Sequence, residues 1–280
     1  MVALAALALS APARAQSLPS VDDVAAQAPS KPKWEAGLAG IAVTTPLYPG
    51  SDDTRTLALP VPYFVYRGRV LQADQEGSRL RHRFTPHVEL GFSGGGALSS
   101  NSSDSQVREG MPDLDYLIEL GPNLKLSFDA PRPRSQLVID LPVRAVFSLG
   151  SGIQDRGFLF APEASYVDDG LAGGRLSWRV SVGSDFATEK LHDYFYEVAP
   201  RYVTEQRPAY AASAGYLGSS LGTRFTYEFT ERMRGFVALR YFLYAGSANE
   251  DSPLFERDDA YSTVLGVTWS FYWSREKAEP

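Results

Sequence analysis

The chain has 280 residues, a net charge of −6 and no cysteine. That length accommodates one large β domain or two ordinary ones. The acidic balance removes general nucleic-acid binding, which needs a broad basic surface. The lack of Cys removes disulfide frameworks and thiolate metal sites.

Residues 1–15 read as an export signal: Val2 to Leu9 form a short apolar core and Ala13-Arg14-Ala15 an A-x-A cleavage site, although no Lys or Arg precedes the core. This core is too short for a helical span, which needs about 20 apolar residues, and no later stretch qualifies. A membrane-spanning mature chain must therefore be a closed barrel. Residues 16–33, rich in Pro, Ser, Ala and Asp, read as a disordered periplasmic lead-in.

From Trp34 to Trp273 the apolar period is two, as in strands. The first expected strands cover 35–46, 57–66, 69–76 and 83–93. "SGGGALSS" at 93–100 reads as a flexible loop, since no Lys-Ser/Thr and no helix follow to make it a phosphate site. In 116–128, Tyr116, Ile118, Leu120, Leu124, Leu126 and Phe128 oppose Glu119, Asn123, Lys125 and Ser127. In 137–149, Leu137, Ile139, Leu141, Val143 and Phe147 oppose Asp140, Arg144 and Ser148. Further strands are expected at 157–167, 175–183, 194–203, 223–229, 234–244 and 265–273. Several exceed the five or six residues usual in soluble domains and match the nine to eleven or so that a tilted strand needs to cross a bilayer.

The connections come in two sizes. "PRPRS", "DDGLAGG" and "TER" are tight; the stretch after Ser93, the region around 187–212 and "AGSANEDSPLFERDD" are long and polar. They fall on opposite sides, as in outer-membrane barrels with short periplasmic turns and long external loops. Even parity favours about twelve strands, with ten as the fallback. The expected fold is thus an all-β, transmembrane, antiparallel up-and-down barrel over 34–273, followed by a polar tail, 274–280.

The polar strand faces carry Glu119, Lys125, Asp140, Arg144, Arg179, Arg224, Glu228, Arg234 and Arg240, the candidate lumen lining. Basic residues outnumber acidic ones there, opposite to the whole chain. Barrels of about eight strands are filled by side chains and those of sixteen or more hold wide channels, so about twelve implies a narrow or plugged lumen. A ladder of internal salt bridges is one reading of this set, and a narrow pore favouring small anions is the other. Aromatic clusters at Trp34, Tyr63–Tyr66, Tyr241–Tyr244 and Trp269–Trp273 suit interfacial girdles. Gly266, Trp269 and Phe271 resemble the C-terminal signal read by the outer-membrane assembly machinery, although "SREKAEP" follows where that signal normally ends the chain.

Several segments in order, "PLYPGSDD" (46–53), "LPVPYFVYRG" (59–68), "GMPDLDYLIELGP" (110–122), "RPAYAASAGY" (207–216) and "DSPL" (251–254), resemble the MipA/OmpV family, the family of the MltA-interacting protein of Gram-negative outer membranes. The resemblance implies an outer-membrane barrel. It further implies a non-enzymatic scaffold linking a membrane-bound lytic transglycosylase to a bifunctional penicillin-binding protein; the alternative is a narrow porin-like channel with a bias for small anions. Outer-membrane lipid, lipopolysaccharide and murein-processing enzymes are the expected partners of a monomeric barrel.

No cofactor, metal or catalytic residue is expected. His82 and His87 are five apart, on opposite faces of an ideal strand, which is poor geometry for a shared metal. On a strand, His192 and Asp193 would point apart, so all three His read as ordinary surface or lumen residues. "DSPLFERDD" reads as a solvated loop, with divalent-cation or lipopolysaccharide contact as the functional alternative, and "GMPDLD" as a turn with Asp caps.

Overall fold

The computed structural model describes residues 32–67, 71–74, 77–80, 82–85 and 87–276. The expected export signal, nearly all of the lead-in and residues 277–280 lie outside the described residues.

Where apolar and polar residues alternate, the chain is extended, because only a strand sends successive side chains to opposite faces. The strands are β1 (Trp34–Pro46), β2 (Thr54–Arg67), β3 (Leu71–Asp74), β4 (Gly77–Leu80), β5 (His82–Thr85), β6 (Val88–Ala97), β7 (Tyr116–Asp129), β8 (Ser135–Leu149), β9 (Ile153–Phe160), β10 (Glu163–Leu171), β11 (Leu176–Ala187), β12 (Gly215–Thr230), β13 (Met233–Leu243) and β14 (Asp259–Trp273). One helix, α1, covers Glu189–Tyr196.

All pairings are antiparallel. The first long strand, β1, pairs with the last, β14, as well as with β2. From there the hydrogen-bonded path runs β14-β13-β12-β11-β10-β8-β7-β6-β5 one way and β2-β3-β4 the other. Its two ends, β4 and β5, are consecutive in the chain and separated by residue 81 alone, so the sheet closes on itself as a barrel. β9 and β10 are one strand interrupted at Ala161-Pro162; both halves pair with β8 and β11. Pro162 has no N–H to give the ladder, yet its carbonyl accepts from Ser184 N (3.1 Å) and Ala161 N donates to Pro142 O (3.2 Å), so the break leaves both neighbours attached. Counting β9 and β10 as one, the described residues form thirteen segments, of which β3, β4 and β5 have four residues each.

Strands β7, β8, β11, β12, β13 and β14 match the expected segments and extend several of them. The expected strand at 194–203 is instead the end of α1 followed by a 3-10 turn at Pro200–Tyr202. Residues 83–93 divide into β5 and β6, and the expected loop at 93–100 is strand as far as Ala97, paired with 117–120 of β7.

β14 shows the two faces. Tyr261, Leu265, Val267, Trp269 and Phe271 are exposed, while Ser262, Val264, Thr268 and Ser270 are buried. The same exposed apolar band continues through Leu38, Phe64, Leu120, Phe128, Val182, Leu221, Phe225 and Leu239. In water such a surface would drive association; in a bilayer it is the required lipid-facing face. The girdle is narrower than the aromatic clusters imply. Tyr63, Phe242 and Tyr244 are buried on the other face, whereas Phe64, Trp269, Phe271 and Tyr272 are exposed.

The ends differ. One carries the start of β1, the end of β14 and short turns, including 130–134, 172–175 and 231–232; the other carries the connections 47–53, 98–115, 188–214 and 244–258. By the rule for outer-membrane barrels, the first end faces the periplasm and the second the outside. At the periplasmic end the C-terminal tail continues the β1–β14 seam: Ser274 N donates to Trp34 O (2.9 Å) and Lys33 N to Glu276 O (2.8 Å).

Candidate functional site

Two regions carry the polar chemistry: the charged inner face of the wall and a cap that fills the external mouth.

On the inner face, Glu119 (β7) and Arg144 (β8) are both buried and form an ion pair at 3.2 Å, with Arg144 Nε donating to Ser93 Oγ (3.0 Å). Gly95 of β6 makes room for them: a Cβ there would lie 2.7 Å from Glu119 Oε2 and 3.2 Å from Arg144 Nη1. This packing is why "SGGG" is strand and not loop. Arg240 (β13) reaches past β12 and β11 to Glu163 of β10 (3.2 Å). Arg234 pairs with Glu228 at 3.3 Å near the periplasmic end. Arg179 and Arg224 are direct cross-strand neighbours. Lys125 lies in register between Glu89 and Asp140, and Asp140 accepts from Asn123 Nδ2 (2.9 Å). All nine candidate residues thus lie on the face opposite the exposed apolar band, several of them in pairs. A further polar group, made by Glu35, Tyr63 and Ser270, is absent from that candidate set: Tyr63 O–H donates to Glu35 Oε1 (3.0 Å), and Ser270 Oγ hydrogen-bonds both. Glu35 opens the expected strand 35–46, but its meeting with Tyr63 and Ser270 depends on the pairing of β1 with β2 and β14.

The cap is assembled from the long connections. Leu191, Phe195 and Tyr196 of α1 pack with Leu47, Tyr48, Leu114 and Ala212 from the loops against Leu117, Val146, Leu159 and Leu217 on the inner strand faces. α1 forms because Leu191, His192, Phe195 and Tyr196 fall one turn apart on a single face. Thr188 ties its start to the wall by accepting from Phe158 N (2.9 Å).

Apart from short bridges such as Ser100–Leu114 and Val198–Tyr210, the cap has no ladder, and side chains satisfy several of its backbone groups. Buried Arg108 donates to Phe195 O (2.9 Å) and Pro112 O (3.3 Å) beneath the Tyr48 ring. Arg207 donates to Val107 O (2.7 Å), Glu109 O (3.1 Å) and Tyr202 O (3.0 Å). Tyr48 O–H donates to Leu254 O (2.7 Å), Tyr196 O–H to Pro49 O (2.9 Å) and Ser252 O–H to Tyr196 O (2.8 Å). All of these bonds except Arg108 to Pro112 O and Arg207 to Tyr202 O join different connections of the cap. "DSPLFERDD" is a solvated loop only in part: Asp251, Glu256, Arg257 and Asp258 are exposed, while Ser252 and Leu254 are buried in the cap. Of "GMPDLD" only Gly110 lies in the expected turn; Leu114 bridges to Ser100, and Asp113 accepts from the distant Ser102 N (2.6 Å).

Burial lowers the pKa of Arg108 and raises that of Tyr196 well above its usual value, so the cap favours neutral groups and holds the Arg108 guanidinium by backbone carbonyls. His192 is wholly buried on α1 rather than on a strand. His87 bonds Ser127 O through Nδ1 (2.9 Å), and the His82 side chain lies outside the described residues. Among the described residues no group of three or more His, Asp or Glu could hold a metal ion, and no helix is long and apolar enough to cross a membrane. Of the proposed assembly residues, Trp269 and Phe271 face lipid with ring centroids 6.1 Å apart. Gly266 faces inward, where any Cβ would overlap the Phe236 ring.

A closed antiparallel sheet with an apolar outside, a charged inside and a folded cap is an outer-membrane β-barrel with a plugged external mouth. The family model described as "MltA-interacting protein MipA" matches residues 37–271, and the chain belongs to that family. No curated protein matches it. Among solved structures it is similar to the NanC porin at 10% identity, covering 83% of this chain and 98% of that one, with a TM-score of 0.43. It is also similar to the CymD monoaromatic hydrocarbon channel at 11% identity, covering 86% and 89% with a TM-score of 0.35. For the outer membrane phospholipase A of Escherichia coli the figures are 10% identity, 84% and 92% coverage and a TM-score of 0.32.

Proposed function

We propose that this protein is a non-enzymatic scaffold of the outer membrane that works from its periplasmic end, where it holds a lytic transglycosylase and a penicillin-binding protein of murein metabolism. The observation that carries this reading is the cap. A mouth capped by connections with a buried apolar core, above an interior crossed by ion pairs, suits a barrel used as an anchor better than one used as a conduit. The family's description, which names an interaction with MltA, supports the partner class. The lead-in at 16–33, released by cleavage after Ala15, would extend from the same end as the short turns. A monomeric barrel in lipid and lipopolysaccharide suffices for this role. Crosslinking whole envelopes and purifying the barrel tests it: a lytic transglycosylase should co-purify, and its absence at native expression levels rejects the scaffold.

The second reading is a narrow pore with a bias for small anions. It is favoured by the basic excess of the inner set, with Lys125, Arg144, Arg179, Arg224, Arg234 and Arg240 against Glu119, Asp140 and Glu228. Planar-bilayer recording decides it: if these residues line a conducting path, Arg240→Gln should shift the reversal potential toward cations.

A further inference from the structure

We propose that His192 and Asn249 form an acid-sensitive latch that holds the external cap shut when the imidazole is neutral and releases it on protonation. Asn249 lies in the connection between β13 and β14, and its amide orientation is fixed by backbone. Its Oδ1 accepts from Ser213 N (2.8 Å) and Tyr210 O–H (3.2 Å), while its Nδ2 donates to Ser213 O (2.9 Å). Turning the amide over would set a carbonyl oxygen against Ser213 O and an NH₂ against Ser213 N–H. The remaining Nδ2 proton therefore points at His192 Nδ1, 2.8 Å away, and that ring nitrogen must be the acceptor. The proton of the neutral ring then sits on Nε2, facing Gly215 O at 3.3 Å.

Protonation puts N–H on Nδ1 as well, directly against the Asn249 NH₂. Two donors meet, and the anchored amide cannot turn to relieve them. No water reaches the ring, because His192 has 0% exposure and stacks on Tyr196 at a centroid distance of 5.9 Å. Among the described residues no carboxylate hydrogen-bonds the ring, whose partners are Asn249 and Gly215 O. On α1, Asp193 bonds the backbone of Ala212 on the opposite side and Glu189 lies in the first turn. Asp185 of β11 faces Tyr244, and Asp251 of the Asn249 connection faces Tyr210. Tyr196, Tyr210 and Tyr244 complete the titratable surroundings, all of them shifted further toward the neutral form.

Burial lowers the His192 pKa below its ordinary 6.5. A His with a depressed folded value binds its proton more readily in the open state. The closed cap is thus fully stable above about pH 6.5 and loses stability as pH falls below it. The latch joins α1, β12 and two external connections, so its release frees the cap while the hydrogen-bonded wall remains.

Hydrogen exchange on the full chain in lipid nanodiscs, corrected for the intrinsic pH effect, reads this directly. Protection of peptides covering 189–196 and 249–254 should fall about tenfold per pH unit below about pH 6.5, with β8 and β14 unchanged. A flat cap profile in the wild-type protein down to pH 5 overturns the proposal. His192→Gln should remove the pH dependence. A His192→Gln protein that keeps the wild-type acid loss also overturns the latch.

Discussion

The barrel wall and the cap in its mouth are held by different forces. The wall is a backbone ladder that needs no side-chain hydrogen bond to persist. Its residues have only to be apolar outside and compatible with charge inside, so one face is interchangeable and the other is paired. The cap has almost no ladder. Its backbone groups are satisfied by Arg108, Arg207, Tyr48, Tyr196, Ser252 and Asn249, each reaching a different loop. One substitution in the cap should therefore undo the cap as a unit, whereas one in the wall should be felt locally.

The sharpest way to break this contrast is Tyr196→Ala. It empties a fully buried aromatic site and leaves Pro49 O without its donor. Truncating a buried aromatic costs about 3–5 kcal/mol. Cap peptides should lose exchange protection and the buried Arg108 should become a tryptic site, while the folded barrel keeps its heat-modifiable migration on gels. Concurrent loss of that migration would mean that cap and wall are one cooperative unit.

Arg144→Ala comes next. It strands the buried Glu119 carboxylate beside Ser93, at a cost of about 3 kcal/mol by the usual penalty for breaking a buried pair. Urea unfolding in lipid vesicles should show the loss, and exchange in the cap should not change. Leu265→Arg tests the outer face. A charge at mid-span of a lipid-facing strand costs about 2–4 kcal/mol, whereas Leu265→Ala on an uncrowded lipid face should cost far less. Equal, small losses for both would show that water, not lipid, covers β14.

The wall was legible in the sequence because its rule is local. Alternation at 116–128 and 137–149 marks β7 and β8 to within two residues, and the contrast of tight and long connections identifies the two ends. The cap was hidden because its rule is not local. Tyr48, Leu114, Leu191 and Leu254 are isolated apolar residues in polar stretches, and only the closed ring brings them together. The misread segment at 194–203 shows the same conflict. Tyr194, Phe195 and Tyr196 resemble a strand by composition, yet Leu191, Phe195 and the preceding Thr188 carry the helical spacing and start signal. Glu119 and Arg144 could be assigned to one face, but their mutual pairing over Gly95 depends on register, which residue types alone do not specify.

The smallest expected effect concerns the seam. The tail "SREKAEP" extends the β1–β14 pairing through Ser274 and Glu276, and Ser274 Oγ also accepts from Trp34 N (3.0 Å). These bonds lie at a solvated edge, so ending the chain at Trp273 should cost about 1 kcal/mol. The truncation would also place an aromatic residue at the terminus, with Phe271 and Trp269 before it on the lipid face. If those residues serve as the assembly address, the shortened chain should insert into outer membranes at least as fast as the full one, measured by the appearance of heat-modifiable protein after a pulse label. Slower insertion with unchanged equilibrium stability would instead assign the address to the tail. The seam between first and last strands would then be completed by residues outside the wall proper.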